Sequence, residues 1–233
     1  ESAVYTIAEN VPITSDTVVY LDERNTVPID LNTNKPNQII AEKTADLFYE
    51  GEYWSLWWSY LWDYPKSALT YISPTSFNAG FVYGYHPKAF AFANTPEWHN
   101  IVFTLEEVTG ATTFVADYDV LVQRTTDYKV ATAPGVIGRA LKAQWVWYPP
   151  WQGFVVAYLR EMDVPQSRVE WYSPEPVMYS EWYLEPSYAW GFDIPWQSYS
   201  LGPKYIAFGE HPFTSGAQIY LWEGYMSVSG YIS

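Results

Sequence analysis

The sequence predicts an all-β protein, an antiparallel sandwich, and three observations carry that prediction. Aromatic residues make up 20% of the 233-residue chain, with 13 Trp and 22 Tyr, and aromatic and β-branched residues suit the pleated, half-buried surface of a strand. The 17 Pro and 13 Gly cut the chain into short segments. Several segments alternate with a period of two. The clearest is residues 139–151, Arg-Ala-Leu-Lys-Ala-Gln-Trp-Val-Trp-Tyr-Pro-Pro-Trp, where Leu141, Ala143, Trp145 and Trp147 share one side and Lys142 and Gln144 the other. The apolar side is the natural candidate for the core. Pro149-Pro150 ends the run, because proline has no N–H to give to a ladder.

Taken in order, residues 1–45 contain no Trp and no Gly, and Pro12, Pro28 and Pro36 interrupt them. They read as an extended N-terminal arm lying along its own domain or a neighbour, ahead of a domain at 46–233. Residues 53–62 place Trp54, Leu56, Trp58, Tyr60 and Trp62 on one strand face, and 67–72 form a second strand before Ser73-Pro74. Residues 77–93, with Gly80, Gly84 and Pro87, read as a structured loop. Residues 97–108 read as a helix, since Thr95-Pro96 offers a cap and Trp98, Ile101, Val102 and Leu105 recur at helical spacing. Strands follow at 114–123 (Tyr118, Val120 and Val122 on one face), 137–148, 168–172, 188–196, 205–208 and 218–231. Residues 153–161 form a short helix or another strand. About eight strands with one or two short helices fit an eight-stranded antiparallel jelly-roll β-sandwich better than an immunoglobulin domain.

Composition excludes several function classes. The chain lacks cysteine, so thiolate nucleophiles and zinc–thiolate sites are out. A net charge of −14, with 12 scattered basic residues, argues against a phosphate-binding surface and leaves at most weak RNA contact. No apolar run approaches the ~20 residues of a membrane span. Glu1 at the first position suggests a product cut from a precursor.

Candidate chemistry is sparse. His86, His99 and His211 fall in no metal-binding spacing, and no Gly-x-Ser-x-Gly elbow or phosphate-cradling glycine loop occurs. Asp117 and Asp119, two apart on an expected strand, are the nearest thing to a glycosidase carboxylate pair; Glu106 and Glu107 read as solvated. Exposed Trp rings stacking on sugars would make the chain a carbohydrate-binding or carbohydrate-active β-sandwich, the alternative reading. The expectation is no enzyme, no catalytic, cofactor-binding or metal residues, and no cofactor.

Four stretches carry a resemblance: residues 138–150, Gly-Arg-Ala-Leu-Lys-Ala-Gln-Trp-Val-Trp-Tyr-Pro-Pro; the strand before it at 117–126, Asp-Tyr-Asp-Val-Leu-Val-Gln-Arg-Thr-Thr; Phe192-Asp-Ile-Pro-Trp-Gln-Ser198; and residues 217–230, Ala-Gln-Ile-Tyr-Leu-Trp-Glu-Gly-Tyr-Met-Ser-Val-Ser-Gly. In order and spacing they resemble strands of the jelly-roll major capsid proteins of picorna-like viruses. The resemblance implies a jelly-roll capsid domain at 46–233 and a structural subunit of an icosahedral virion. It implies polyprotein processing, assembly in the host cytoplasm with related capsid proteins around an RNA genome, and a host receptor met through surface loops, of which 77–93 is the candidate.

Overall fold

The computed structural model describes residues 3–9, 11–12, 16–49, 52–56, 69–128, 138–148, 153–184, 191–208, 218–222 and 225–229. Among them every regular element is a strand, apart from single 3₁₀ turns at Glu23–Asn25 and Phe92–Asn94. In chain order the strands are β1 (Ala3–Tyr5), β2 (Val27–Asn32), β3 (Gln38–Tyr49), β4 (Glu52–Leu56), β5 (Thr70–Ile72), β6 (Asn78–Pro87), β7 (Glu97–Leu105), β8 (Thr112–Val115), β9 (Val122–Tyr128), β10 (Gly138–Tyr148), β11 (Gly153–Val164), β12 (Gln166–Tyr172), β13 (Met178–Leu184), β14 (Gly191–Ser198), β15 (Lys204–Phe208), β16 (Gln218–Trp222) and β17 (Tyr225–Ser229). The all-β class therefore stands.

A seven-stranded sheet, ordered β15-β9-β12-β7-β6-β3-β4, is covered on both faces. One face packs on the sheet β1-β5-β2-β8, where Ile29, Leu31, Ile72 and Phe114 meet Leu47, Phe81, Tyr83 and Ile101. The other packs on the sheet β11-β10-β13-β14, where Ala140, Val146, Met162 and Tyr179 meet Val82, Trp98, Val122 and Tyr172. β16 and β17 pair with each other.

Coverage on both faces explains two departures from expectation. Residues 97–108 are not helical: β7 occupies Glu97–Leu105, paired to β6 on one side and β12 on the other. A strand buried on both faces needs apolar groups at consecutive positions, so Trp98, Ile101 and Val102 imitate helical spacing while facing opposite layers. Residues 77–93 are likewise not a loop for most of their length. β6 lies inside the central sheet with Ala79 through His86 buried, and therefore offers no receptor surface there.

Three further expectations are corrected. The arm at 1–45 is largely built into the sheets, since β1 pairs with β5, and β2 and β3 contribute Ile29, Leu31, Ile40 and Ala41 to the two cores. Pairing is not antiparallel throughout: β1·β5, β2·β8, β7·β12 and β9·β15 run parallel, each joining strands distant in sequence. The stretch 114–123 is not one strand, because the Asp119 N–H donates to Asp117 Oδ1 (3.0 Å) in a turn that separates β8 from β9. Residues 57–68 of the aromatic run at 53–62 and its neighbour lie outside the described residues.

In β3 the register shifts between Ile40 and Glu42. This bulge reverses the parity of the strand, so that Ile40 before it and Ala45 and Leu47 after it face the same core. Opposite it, Gly84 makes room for Trp98: a Cβ at Gly84 would lie 2.7 Å from Trp98 Cζ2 and 3.1 Å from Glu42 Cβ. Gly84→Ala is therefore expected to cost about 1–3 kcal/mol by overpacking. Gly110→Ala, with nothing within 4 Å of the new methyl, is expected to be near neutral. Urea denaturation of the two variants checks this.

Candidate functional site

Two clusters of polar side chains are built by the central sheet, one on each face. The larger lies between the central sheet and β10–β13. Antiparallel register sets Glu170 of β12 beside Arg124 of β9, and Glu181 of β13 beside Gln144 of β10. Alternation then directs Arg124, Thr126 and Tyr128 inward from β9, Glu170 and Tyr172 from β12, and Lys142 and Gln144 from β10.

Arg124 is the hub. Its Nη1 and Nη2 donate to Glu181 Oε1 and Oε2, each at 2.7 Å, as a bidentate fork. Nη2 also donates to Glu170 Oε2, Nη1 to Tyr199 Oη (2.6 Å), and Nε to Thr126 Oγ1 (3.0 Å). Lys142 Nζ donates to Glu170 Oε1 (2.5 Å) and to Tyr128 Oη (2.7 Å), and lies 3.3 Å from Glu181 Oε2. Tyr128, Tyr172 and Thr126 donate to Glu170 from three further directions. Two cations and two anions leave the quartet formally neutral, and all four side chains are buried.

Burial alone would push the Glu170 carboxyl up. Lys142, Arg124 and Arg168 outweigh it and hold the group well below the usual carboxylate range. Glu181 is lowered in the same way, with burial opposed first by Arg124 and then by Lys142. The surrounding Tyr128 and Tyr172 hydroxyls are raised, chiefly by burial, and act as neutral donors. The arrangement is a lock between two sheets. No carboxylate in it is poised to exchange a proton near neutrality.

This reverses the reading of β10. Lys142 and Gln144, expected to face solvent, are buried, whereas Leu141, Trp145 and Trp147 are half-buried on the opposite side. Apolar alternation alone misses such a face. The available signal was the pairing of charge with tyrosine on β9 and β12, Arg124-x-Thr126-x-Tyr128 and Arg168-x-Glu170-x-Tyr172.

The second cluster sits on the other face. His99 of β7 is stacked parallel to Tyr85 of β6 (centroids 4.3 Å) and Trp171 of β12 (6.3 Å), its neighbours in register. Tyr118 meets His99 edge-on and places its hydroxyl 2.9 Å from that of Tyr85. Lys35 Nζ caps the group, 4.2 Å from the Tyr118 centroid and 5.2 Å from that of Trp171. Glu97 Oε1 accepts from Lys35 and from Trp171 Nε1 (2.9 Å), and lies 3.3 Å from His99 Nε2 without the alignment of a hydrogen bond.

The His99 ring close by and the Lys35 ammonium, working against burial, hold Glu97 at about 2. Burial, only partly opposed by Glu97, pushes His99 down to about 4. The imidazole is thus neutral at pH 7.

The other sequence candidates do not converge. His86 is buried with Nδ1 3.0 Å from Pro87 O. Asp117 and Asp119 lie exposed on the turn before β9, not on a strand face, and Glu106 and Glu107 are exposed after β7. His211 lies outside the described residues. Among the described residues no group of three or more His, Asp or Glu side chains is placed to hold a metal ion. No helix among them is long and apolar enough to cross a membrane.

Two predictions follow from these geometries. Glu170→Gln or Glu181→Gln leaves an unpaired buried cation and is expected to cost about 3–5 kcal/mol, against under ~1 kcal/mol for the exposed Glu161→Gln; denaturant titration reads the difference. For His99, the unfolded chain takes up its proton near pH 6.5 while the folded protein resists it until about 4. Stability is therefore expected to fall by roughly 3 kcal/mol as pH drops through that window. His99→Phe, which keeps the ring, should remove this slope and leave the separate loss below pH 4.5 from Glu170 and Glu181.

Comparison with known proteins adds no family. No family model matches the chain, and no curated relative is found. A solved structure described as a "putative adhesin from Bacteroides ovatus" aligns at 7% identity over 89% of this chain and 96% of its own, with a TM-score of 0.20. At that score the likeness carries no argument about fold or function.

Proposed function

We propose that the chain is a non-catalytic structural subunit, an all-β module that works by docking against other subunits. The observation that carries this reading is where its chemically capable side chains go. Arg124, Lys142, Glu170 and Glu181 neutralise one another inside the sandwich. Arg160 is spent on Glu42 and the Ala41 carbonyl, and Arg168 on the Thr95 and Phe92 carbonyls. Such groups hold sheets in register and present no reactive group to a substrate.

The finer form of the proposal, implied by the sequence resemblance, is a picorna-like capsid subunit with a jelly-roll core, assembling with related subunits around RNA in the host cytoplasm. Two of its four stretches are single strands as that form requires, β10 and β14. The other two are divided, 117–126 by the turn before β9 and 217–230 into β16 and β17. Receptor contact, in this form, falls to surface loops outside β6, of which 88–91 is exposed. Polysaccharide binding is the alternative, read out on a glycan array. Co-expression of the chain with the flanking parts of its precursor, followed by sedimentation and electron microscopy, is expected to give closed particles. A chain that stays monomeric beside its siblings contradicts the proposal.

A further inference from the structure

Val18, Val19, Tyr20 and Leu21 form an unusual surface. All four are exposed, Tyr20 at 87% and Val18 at 70%, and they follow one another in an unpaired stretch of chain. Their backbone N–H and C=O groups make no hydrogen bond to any described residue. A run of β-branched and aromatic residues with free backbone groups is a strand lacking a partner.

The complementary surface lies beside it. β1 is an outer strand of its sheet, paired only to β5 among the described residues. Val4 at its centre is 45% exposed. Between β1 and residues 21–24 opens a cleft of about 410 Å³ lined by Val4, Thr6, Leu21, Asp22, Glu23 and Arg24. One patch thus carries both an unpaired apolar stretch and, among the described residues, an outer strand edge.

We infer that this patch is a self-association site, in which residues 18–21 of one copy add to the β1 edge of a second copy and receive the same contact in return. A surface holding both donor and acceptor is self-complementary, which is what a two-fold interface requires. Burying the exposed parts of Val4 and Val18 to Leu21 removes on the order of 500 Å² per copy, about 1,000 Å² for the pair, the lower limit for a specific interface. The dimer is therefore weak on its own and gains from repetition in an assembly. Charge selects against an anionic membrane as the partner, because Asp16, Asp22 and Glu23 flank the run. The inference deepens the structural-subunit reading by naming one contact, yet its test is homotypic and separate from particle formation.

The chain has no cysteine, so single cysteines report the contact cleanly. Mixing Val4→Cys with Tyr20→Cys proteins is expected to give intermolecular disulfide faster than mixing either with Glu106→Cys, a solvent-exposed position on another loop. In analytical ultracentrifugation the dimer is expected to tighten with added salt, because two copies of charge −14 repel. Tyr20→Glu should weaken it at least about tenfold without lowering the melting temperature. A chain that is monomeric up to about 1 mM overturns the inference, as does a Val4→Cys/Tyr20→Cys double variant that closes only within one molecule. Binding of the monomer to neutral lipid vesicles without self-association overturns it in favour of a lipid contact. None of these outcomes bears on whether precursor-derived particles form.

Discussion

Two layers of this molecule meet across a pair of cations and a pair of anions, and that meeting is possible only if the charges cancel. Moving a single carboxylate or guanidinium out of water costs several kcal/mol even after relaxation. Arg124, Lys142, Glu170 and Glu181 escape that cost together, because each finds opposite charge and directed hydrogen bonds from four different strands. β9, β10, β12 and β13 must all stand in their observed registers for the quartet to close. A slip of one residue in any of them would turn a charge outward and strand its partner. Stability is therefore not the quartet's main contribution; a hydrophobic set of the same volume could match it. What it supplies is a penalty on wrong pairings.

The two faces of the central sheet solve the same burial problem by different means. Toward β10–β13 the chain uses ionic pairs ringed by tyrosines, whose hydroxyls bridge charge and apolar surroundings. Toward β2, β5 and β8 it uses packed aliphatic and aromatic side chains, with His99 held neutral between Tyr85 and Trp171. The high aromatic content has, in these residues, a structural explanation. Rings fill the wide space between layers and cap buried polar atoms.

The class of the fold was legible in the sequence, and so were the limits of β10 and the existence of β12, β14 and β15. Composition and punctuation act locally, so they survive translation into structure. What failed depended on neighbours distant in sequence. β7 looked helical and β6 looked like a loop because burial on both faces erases period-two alternation. Lys142 looked exposed because its partners lie at Glu170 and Glu181, where nothing in residues 139–151 points. The parallel pairs, such as β7 with β12, join strands whose relation no local pattern encodes. Asp117 and Asp119 kept their two-residue spacing but lost their strand to an Asp-capped turn.

The account stands or falls on whether the four charges act as one unit. A double-mutant cycle on Arg124→Met and Glu181→Leu, read by equilibrium unfolding, measures that directly. If the quartet is a coupled lock, the double variant is less destabilised than the sum of the singles by about 2 kcal/mol or more, since removing both leaves no orphaned charge at that position. Additivity within about 0.5 kcal/mol would mean that the two residues act independently, and the central claim would fail.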